Sequence, residues 1–503
     1  MEMIITALKR WWASNKVEFA FYKKPFIVLF FIYLIGISSI IRANYNYLDD
    51  IGRVVAGFLG WDDFSRYLNV ILATIIHGDT LLNDISPLPQ ILAVAITAAS
   101  SVVLMKVFTN SCSWWSVLAV IPLGLSPYFL ECLSFKFDSP YMALSVFASV
   151  FPLLFIDEDE SLYLFVVALG ALVMFTTYQA SSGIFIVCLS FLLALRWSQG
   201  DDLKKSVNCF FKSSLVFVII AVLFKVLLVK EYNDYVSTDI VGSKNLLYVV
   251  FDNTTRYLRL LWQDSTIAWR IMFAGIVLCF IKNFTLQSAR NRIHTFIVAI
   301  ILVMVCGILS YGGYLVLQKP LFYPRAMYGF GVYVAILGII AVSSWKEKML
   351  SKVVCLFMSW SLFVFALAYG NALAEQKRYD NFRIQMIVSD LSKVPNLDNA
   401  HVRKMQLKGK AGYSPVITRM SERYKVLKRL IHVSIEAEYC LGEYYLFNYF
   451  TLPGVKQEPN WEENKKIIDD DNIPVFVDTA YHTIKADEEN IVVILKDTSI
   501  KLL

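Results

Sequence analysis

An acidic pair followed by an arginine is the first group of residues whose types and spacing suit catalysis. Asp49 and Asp50 are adjacent, and Arg53 follows in the same polar stretch. A carboxylate can take the proton of a hydroxyl group as its oxygen attacks carbon, and a guanidinium can stabilise charge on a departing phosphate. Paired aspartates after an apolar segment also occur as a solvated turn, so both interpretations stay open at this point.

Three further polar motifs interrupt long apolar runs. They are Phe135-Lys-Phe-Asp-Ser-Pro-Tyr-Met142, Thr177-Tyr-Gln-Ala-Ser-Ser182 and Tyr323-Pro-Arg325. Their candidate substrate- or phosphate-binding residues, together with Arg53, are Lys136, Asp138, Tyr178, Gln179 and Arg325.

Each of these motifs also has a structural interpretation. Asp138 before Ser-Pro is typical of a helix N-cap, and Gln179 in a tight turn can satisfy backbone groups. An arginine within an apolar run costs about 2.5–3.5 kcal/mol on insertion scales unless it is paired or near water, and Arg325 could instead extend to a nearby interface. Asp62 and Asp63 are a weaker second acidic pair.

The elements that must position these residues are membrane helices. The 503 residues are 57% hydrophobic and 17% charged, with mean hydropathy +0.54. Runs of about 20 apolar residues predict an α-helical polytopic membrane protein. We predict eleven spans, at about 25–41, 87–109, 112–130, 140–156, 161–178, 181–197, 212–229, 265–282, 293–317, 322–344 and 351–371.

Loop charges orient the spans. Lys23 and Lys24 precede the first span, and every larger loop that then falls inside is basic, including the one with Lys346 and Lys348. The N-terminus is therefore predicted to be cytoplasmic and, since eleven is odd, the C-terminus external. The net charge of +6 needs no nucleic acid to explain it.

Two domains follow from this layout. Residues 1–371 form a transmembrane domain whose external loop, 42–86, carries an interfacial helix at 66–82. Residues 372–503 are polar and contain two strand-like segments, 473–478 and 490–496, with one or two helices predicted over 424–450. We predict a small C-terminal α/β domain on the outer face.

All four polar motifs then lie on the same outer side. Asp49 or Asp50 fits a general base, and Arg53, Lys136 and Arg325 fit the stabilisation of a phosphate leaving group. No glycine-rich phosphate loop, Ser/His/Asp arrangement or cluster of metal ligands occurs in the sequence. These features favour sugar transfer from a lipid phosphate over ATP-driven transport.

The same residues resemble those of the serotype-converting O-antigen glucosyltransferases of enteric bacteria and their prophages, in the GT-C class. The resemblance rests on the acidic pair after the first span, Phe137-Asp-Ser-Pro-Tyr-Met142, Tyr178-Gln179 and a soluble tail ending in Asn490-Ile-Val-Val-Ile-Leu-Lys496.

The resemblance implies an inverting enzyme of the bacterial inner membrane with a periplasmic active site. Its donor would be undecaprenyl phosphate glucose, its acceptor the O-antigen repeat unit of lipopolysaccharide, and its partners a small flippase and a prenyl-phosphate glucosyltransferase. The resemblance also implies that the acidic residue at the reaction centre, the proposed base, is Asp50 or Asp49. Some GT-C enzymes use a divalent metal; because this chain has no clear ligand set, we predict independence from metal and no other cofactor.

Two other activities suit the same layout. A lipid-linked oligosaccharide flippase or exporter would do no chemistry, and its polar residues would be spread through the spans and on both faces. An O-antigen polymerase would lengthen chains instead of adding side branches.

The predicted topology can be tested with reporter fusions. Because the loop charges set the orientation, fusions at Lys204, Lys348 and Asn460 should report inside, inside and outside. An internal signal from Asn460 would contradict the placement of the four motifs on one face.

Overall fold

A computed structural model describes residues 2–109, 113–230, 242, 245–343, 349–397, 401–437, 446, 452–457, 461–468, 470 and 472–499. Lys346, Lys348 and Asn460, used above for topology, lie outside these residues. The chain divides into two compact units. The first comprises Met1–Ser38, Leu59–Thr80 and Ile85–Leu367, and the second Ser39–Phe58, Leu81–Asp84 and Ala368–Leu503. We describe each by itself; the sequence-based division at 371/372 stays a prediction.

Helices make up nearly all of the first unit. Its helices are α1 Glu2–Ala43, α3 Tyr67–His77, α4 Leu88–Phe108, α5 Trp114–Val120, α6 Pro122–Leu125, α7 Pro127–Ser134, α8 Ser139–Val150, α9 Glu160–Thr177, α10 Ile184–Gln199, α11 Leu203–Leu227, α12 Leu246–Asp264, α13 Ile267–Leu286, α14 Arg292–Leu309, α15 Gly329–Val342 and α16 Met349–Leu391. The long helices α1 and α16 extend into residues that belong to the second unit. The second unit contributes the short α2, Asp49–Ala56.

The polytopic helical prediction is confirmed in its coarse form. Within the described residues, eight helices are long and apolar enough to cross a membrane, or up to nine if the bent pair Trp114–Leu125 and Pro127–Ser134 is one span. Two predicted spans coincide with shorter apolar helices, Ser139–Phe155 and Gly329–Val342. The count of eleven therefore stays a prediction. A helix does occupy most of 66–82, as α3, and its interfacial position stays a prediction.

Local capping explains where several of these helices begin. Asp159, Asp202 and Asn291 precede α9, α11 and α14, and each side chain accepts a hydrogen bond from a backbone N–H of the first turn. Those N–H groups have no partner within the helix, so a preceding carboxylate or amide stabilises the start. Asp159 and Asn291 lie where predicted connecting loops end, whereas α11 begins at Leu203, nine residues before its predicted span.

The second unit contains a five-stranded sheet. Its strands are β1 Arg403–Gly409, β2 Val455–Gln457, β3 Val475–Asp478, β4 His482–Ala486 and β5 Asn490–Leu495, in the order β2-β1-β5-β4-β3. β1 pairs in parallel with β2 and with the central strand β5, whereas β4 is antiparallel to β3 and β5. The helices α17 Pro415–Arg423, α18 Leu427–Leu430 and α19 Trp461–Ile468 complete it. The small C-terminal sheet is thus confirmed, with both predicted strands in it.

One local prediction for the tail differs from the structure over 431–436. Of the predicted helical region 424–450, the described stretch 424–436 contains one helical turn, α18, and 431–436 are not helical. Glu436 instead forms a β-bridge with Lys410, and Ala411 N–H donates to the carbonyl of Ile435. Backbone pairing with the end of β1 has therefore replaced helical hydrogen bonds there; positions 438–445 and 447–450 lie outside the described residues.

A buried arginine holds the second unit together. Arg383 of α16 is fully buried, and its guanidinium donates to the carbonyl oxygens of Ala411, Tyr481 and Lys496. It also lies 5.3 Å from the ring centroid of Tyr481. One side chain thus joins the helix to the ends of β1 and β5 and to the turn before β4.

Replacing Arg383 by Met should destabilise the second unit by about 3 kcal/mol or more, because several buried carbonyls lose a charged donor at once. The measurement is the thermal unfolding midpoint of the purified full chain. Arg378→Met, on the same helix but exposed, is the matched control and should change the midpoint little. Equal unfolding midpoints for the two variants would contradict the stabilising role of Arg383 in the second unit.

Candidate active site

The acidic pair begins the short helix α2 in the second unit. Its acidic residues lie in the first turn, where the helix dipole favours negative charge. Asp50 is 0% exposed and accepts a hydrogen bond from the backbone N–H of Tyr47 at 3.2 Å, whereas Asp49 is exposed. The helix ends at Gly57, whose φ of 65° suits glycine. The two aspartates therefore differ in environment although they are neighbours.

Tyrosines before α2 attach it to the C-terminal part of its own unit. Tyr45 donates to the carbonyl of His432 and Tyr47 to that of Leu430, both at 2.6 Å. Ile51 belongs to the apolar core that α16 and the sheet share. Arg53 is buried, with its guanidinium 5.8 Å from the ring centroid of Phe58. The acidic segment is thus positioned by residues far from it in sequence.

Asp138 is held by two residues of the 59–80 segment in the first unit. The indole N–H of Trp61 donates to its Oδ1 at 2.6 Å, and a guanidinium nitrogen of Arg66 lies 4.0 Å from the same oxygen. Asp138 makes no side-chain capping bond to α8, although Pro140 stands in the first turn of that helix. Its carboxylate is therefore directed to a tertiary network and not to the helix start.

Arg66 also covers an aromatic ring. Its guanidinium carbon lies 4.6 Å from the ring centroid of Tyr178, which stacks on Tyr328 at 6.1 Å. The hydroxyl of Tyr328 is 2.6 Å from that of Ser181. Arg66 thus links Asp138 to Tyr178, two of the predicted site residues.

Gln179 satisfies backbone carbonyls. Its amide donates to Phe175 at 2.9 Å and to Phe64 at 3.4 Å. The turn that follows packs tightly, since a Cβ on Gly183 would lie 2.1 Å from the carbonyl oxygen of Leu309. These contacts agree with the structural interpretation of Gln179; its role in substrate binding stays a prediction.

Arg325 pairs with a carboxylate buried inside an apolar helix. Its Nη1 lies 2.9 Å from Oε1 of Glu131, and its backbone N–H donates to the other oxygen of the same carboxylate. Glu131 is 0% exposed, and the Arg325 side chain is 13% exposed. The guanidinium also lies 4.7 Å from the ring centroid of Tyr323 and 5.6 Å from that of Phe135.

Lys136 is buried between α7 and α8. Next to it in sequence, the ring of Phe137 stacks on His77 at 5.7 Å and 9°. The structure therefore brings α3 against the segment that carries both Lys136 and Asp138.

Within the first unit, Asp138 and Tyr178 converge on Arg66, and Arg325 lies with Glu131. Asp49, Asp50 and Arg53 belong to the second unit.

Sequence reasoning missed Trp61, Arg66 and Glu131 as candidate site residues. Glu131 carried a usable signal, an ionisable residue in an apolar run, whereas nothing in the spacing of Trp61 links it to Asp138.

Metal ligands do not cluster in the part of the chain that the structure describes: no group of three or more His, Cys, Asp and Glu side chains could hold an ion there. Independence from metal stays a prediction.

Comparison with known proteins identifies a family. The family model described as glucosyl transferase GtrII matches residues 38–337, more than half of the chain. A protein of Salmonella phage P22, described as an uncharacterized 55.3 kDa protein in the gtrB 5′ region, is 30% identical over 161 residues, 32% of each chain. The match thus spans about a third of the length of this relative. No solved structure matches the chain.

Coupling between Glu131 and Arg325 can be measured directly. Glu131→Gln should cost about 3 kcal/mol because it leaves a charge without its partner in a nearly dry site, and Glu131→Gln with Arg325→Gln should cost less than the sum of the single changes. The readout is the thermal midpoint of the detergent-solubilised protein. The exposed pair Asp157–Arg196 is the control, with an expected coupling energy below about 1 kcal/mol. Similar coupling energies in the two pairs would refute the prediction that the buried pair is the more strongly coupled.

Proposed function

The chain belongs to the GtrII family of glucosyl transferases, and on that premise we propose that it moves glucose from undecaprenyl phosphate glucose to O-antigen repeat units of lipopolysaccharide. The reaction would take place on the periplasmic face of the bacterial inner membrane. The apolar helices long enough to span a membrane support the membrane part of this proposal.

The extent of the family match is the observation that carries this proposal. The matched stretch, 38–337, contains every residue that the sequence nominated for the reaction. These residues are Asp49, Asp50, Arg53, Lys136, Asp138, Tyr178, Gln179 and Arg325. The part of the chain that resembles glucosyl transferases is therefore also the part that carries the acidic and cationic side chains.

We assign the base to Asp50 and a positioning role to Asp49. The carboxylate takes the proton of the acceptor hydroxyl while that oxygen forms a bond to the anomeric carbon of glucose. The bond from that carbon to phosphate breaks in the same displacement, and its electron pair leaves with undecaprenyl phosphate. The configuration of the anomeric carbon is inverted in this single step. The burial of Asp50 and its hydrogen bond from the backbone N–H of Tyr47 support the assignment, because they hold the carboxylate in one position.

The cations stabilise the departing phosphate. The sequence nominated Arg53, Lys136 and Arg325, and the structure adds Arg66. Both Arg66 and Arg325 lie against aromatic rings and beside a carboxylate, which fixes their orientation in advance. Donors that are held before the reaction need no reorganisation when charge develops on the leaving group.

Partners follow from the same chemistry. The donor must be charged with glucose and carried across the membrane before this reaction, so a prenyl-phosphate glucosyltransferase and a small flippase would supply it. The phage relative, whose description places it in the gtrB 5′ region, is compatible with such a gene group.

Replacing the proposed base provides the test. Asp50→Asn should lower the rate of glucose transfer by about 10²–10⁴-fold, the usual contribution of a general base. Asp49→Asn should cost much less. The assay uses reconstituted protein, undecaprenyl phosphate carrying labelled glucose, and O-antigen acceptor.

Asp63→Asn serves as the control, since Asp63 lies in the second acidic pair and has no role in the proposed reaction. Full transfer by both the Asp49 and the Asp50 variants would refute the assignment. Movement of lipid-linked sugar across the vesicle without covalent transfer by the unmodified protein would favour a flippase, and lengthened O-antigen chains a polymerase.

A further inference from the structure

The helix α12 has its polarity reversed relative to a helix of a water-soluble protein. Its buried residues are polar: Asn253, Tyr257 and Asp264. Its exposed residues include large apolar side chains: Leu247 is 85% exposed, Phe251 71%. A soluble amphipathic helix shows the opposite arrangement, with the apolar stripe facing the core. The medium around α12 must therefore be apolar on one side.

All three buried polar residues are engaged. The Asn253 amide lies within hydrogen-bond distance of the carbonyl oxygens of Leu315 at 3.1 Å and Leu317 at 3.0 Å. Tyr257 donates to the carbonyl of Leu321 at 3.0 Å, and Asp264 accepts from Tyr128 at 3.2 Å. The buried side thus supplies donors to the end of the 3-10 helix Gly312–Val316 and to the irregular segment 317–321, which leads to Arg325.

The exposed side is ordered in two stripes. At 3.6 residues per turn, Leu247, Phe251, Leu258 and Trp262 fall in one row along the helix. A second stripe, beside that row, contains Asp252, Arg256, Arg259 and Gln263. An apolar row with a charged stripe beside it is the pattern of a helix that lies in a membrane interface, since the row enters the acyl region and the charges stay at the headgroups.

The neighbouring helices indicate what covers this row. The helix α13 starts at Ile267, directly after α12, and α11 ends at Leu227; both are apolar enough to span a membrane. Their exposed side chains Ile271 and Val226 are as apolar and as exposed as those of α12. α12 itself contains two acidic residues and two arginines and is not among the candidate spans. α12 therefore fits along the surface of the membrane that α11 and α13 would cross, and not through it.

We propose that α12 lies flat in the membrane interface, with its apolar row in the acyl chains of anionic phospholipid and Arg259 at the level of the headgroup phosphates. Arg256 forms an ion pair with Asp252 at 2.9 Å, so the exposed Arg259 is the better placed of the two to bind an anion. Through Asn253 and Tyr257, the same helix holds the segment that leads to Arg325. The proposal concerns lipid contact and does not depend on the reaction catalysed.

Photo-crosslinking of the full chain in vesicles tests the proposal. Benzoylphenylalanine would replace Phe251 or Leu258 in protein reconstituted with ³²P-labelled phosphatidylglycerol. Phe476, an exposed aromatic residue of β3 in the polar second unit, is the matched control position. We expect lipid label on the protein to be at least about fivefold higher from both α12 positions than from Phe476, because of these three positions only the two on α12 would contact acyl chains.

Label at the level of the Phe476 control, or crosslinks to a second copy of the chain in place of lipid, would overturn the proposal. Using two α12 positions keeps the test valid if one variant fails to fold. The headgroup contact is tested by comparing two lipids. The yield of lipid crosslinked to the protein should be severalfold lower in phosphatidylcholine vesicles than in phosphatidylglycerol vesicles, and Arg259→Gln should remove that difference. Equal yields from the two lipids in the unmodified chain would overturn the role of Arg259. Glucose transfer is not measured, so a failure here is separate from a failure of the proposed function.

Discussion

The buried ion pair between Glu131 and Arg325 shows the constraint that every buried charge in the first unit must meet. A charged side chain among apolar helices needs a partner of opposite charge, because no water is present to solvate it. Glu131 meets this requirement with one carboxylate, which accepts from both the guanidinium and the backbone N–H of Arg325. The short turn at 324–326 is thereby fixed to α7 by its main chain as well as by its side chain.

The same constraint governs the second charged group of that unit. Asp138 has Trp61 as a neutral donor and Arg66 as a charged neighbour, and Arg66 in turn covers the ring of Tyr178. An arginine presents five N–H donors, more than one carboxylate can accept, so pairing orients it without using its full capacity. Such a guanidinium is less attractive to distant anions than an unpaired one, but its orientation is already fixed by its carboxylate and ring neighbours.

Sequence reasoning recovered what depends on local pattern. Apolar run length located the helices long enough to span a membrane, short runs rich in valine and isoleucine located β3 and β5, and Arg325 was singled out because an arginine in an apolar run requires a partner. The partner itself was missed, since the predicted third span ended at 130, one residue before Glu131. Trp61 and Asp138 are 77 residues apart and share no period, so their hydrogen bond follows only from tertiary packing. The non-helical course of 431–436 has the same cause, because pairing with the end of β1 overrides local helix preference.

The position of the acidic helix α2 shows why a family match and a folding unit need not coincide. The match covers α2 but ends at 337, whereas the residues that hold α2 in its unit lie beyond that point: Leu430 and His432 accept hydrogen bonds from Tyr47 and Tyr45, and Ile51 packs with the sheet core. The acidic pair therefore depends for its position on a tail outside the matched stretch. In a glucosyl transferase whose base is Asp50, the reacting group would be set by the matched part of the sequence and its orientation by the tail. Changes in the tail, even far from any substrate, would then alter catalysis through the tyrosine anchors, because a base must be placed within hydrogen-bond reach of the hydroxyl that it deprotonates.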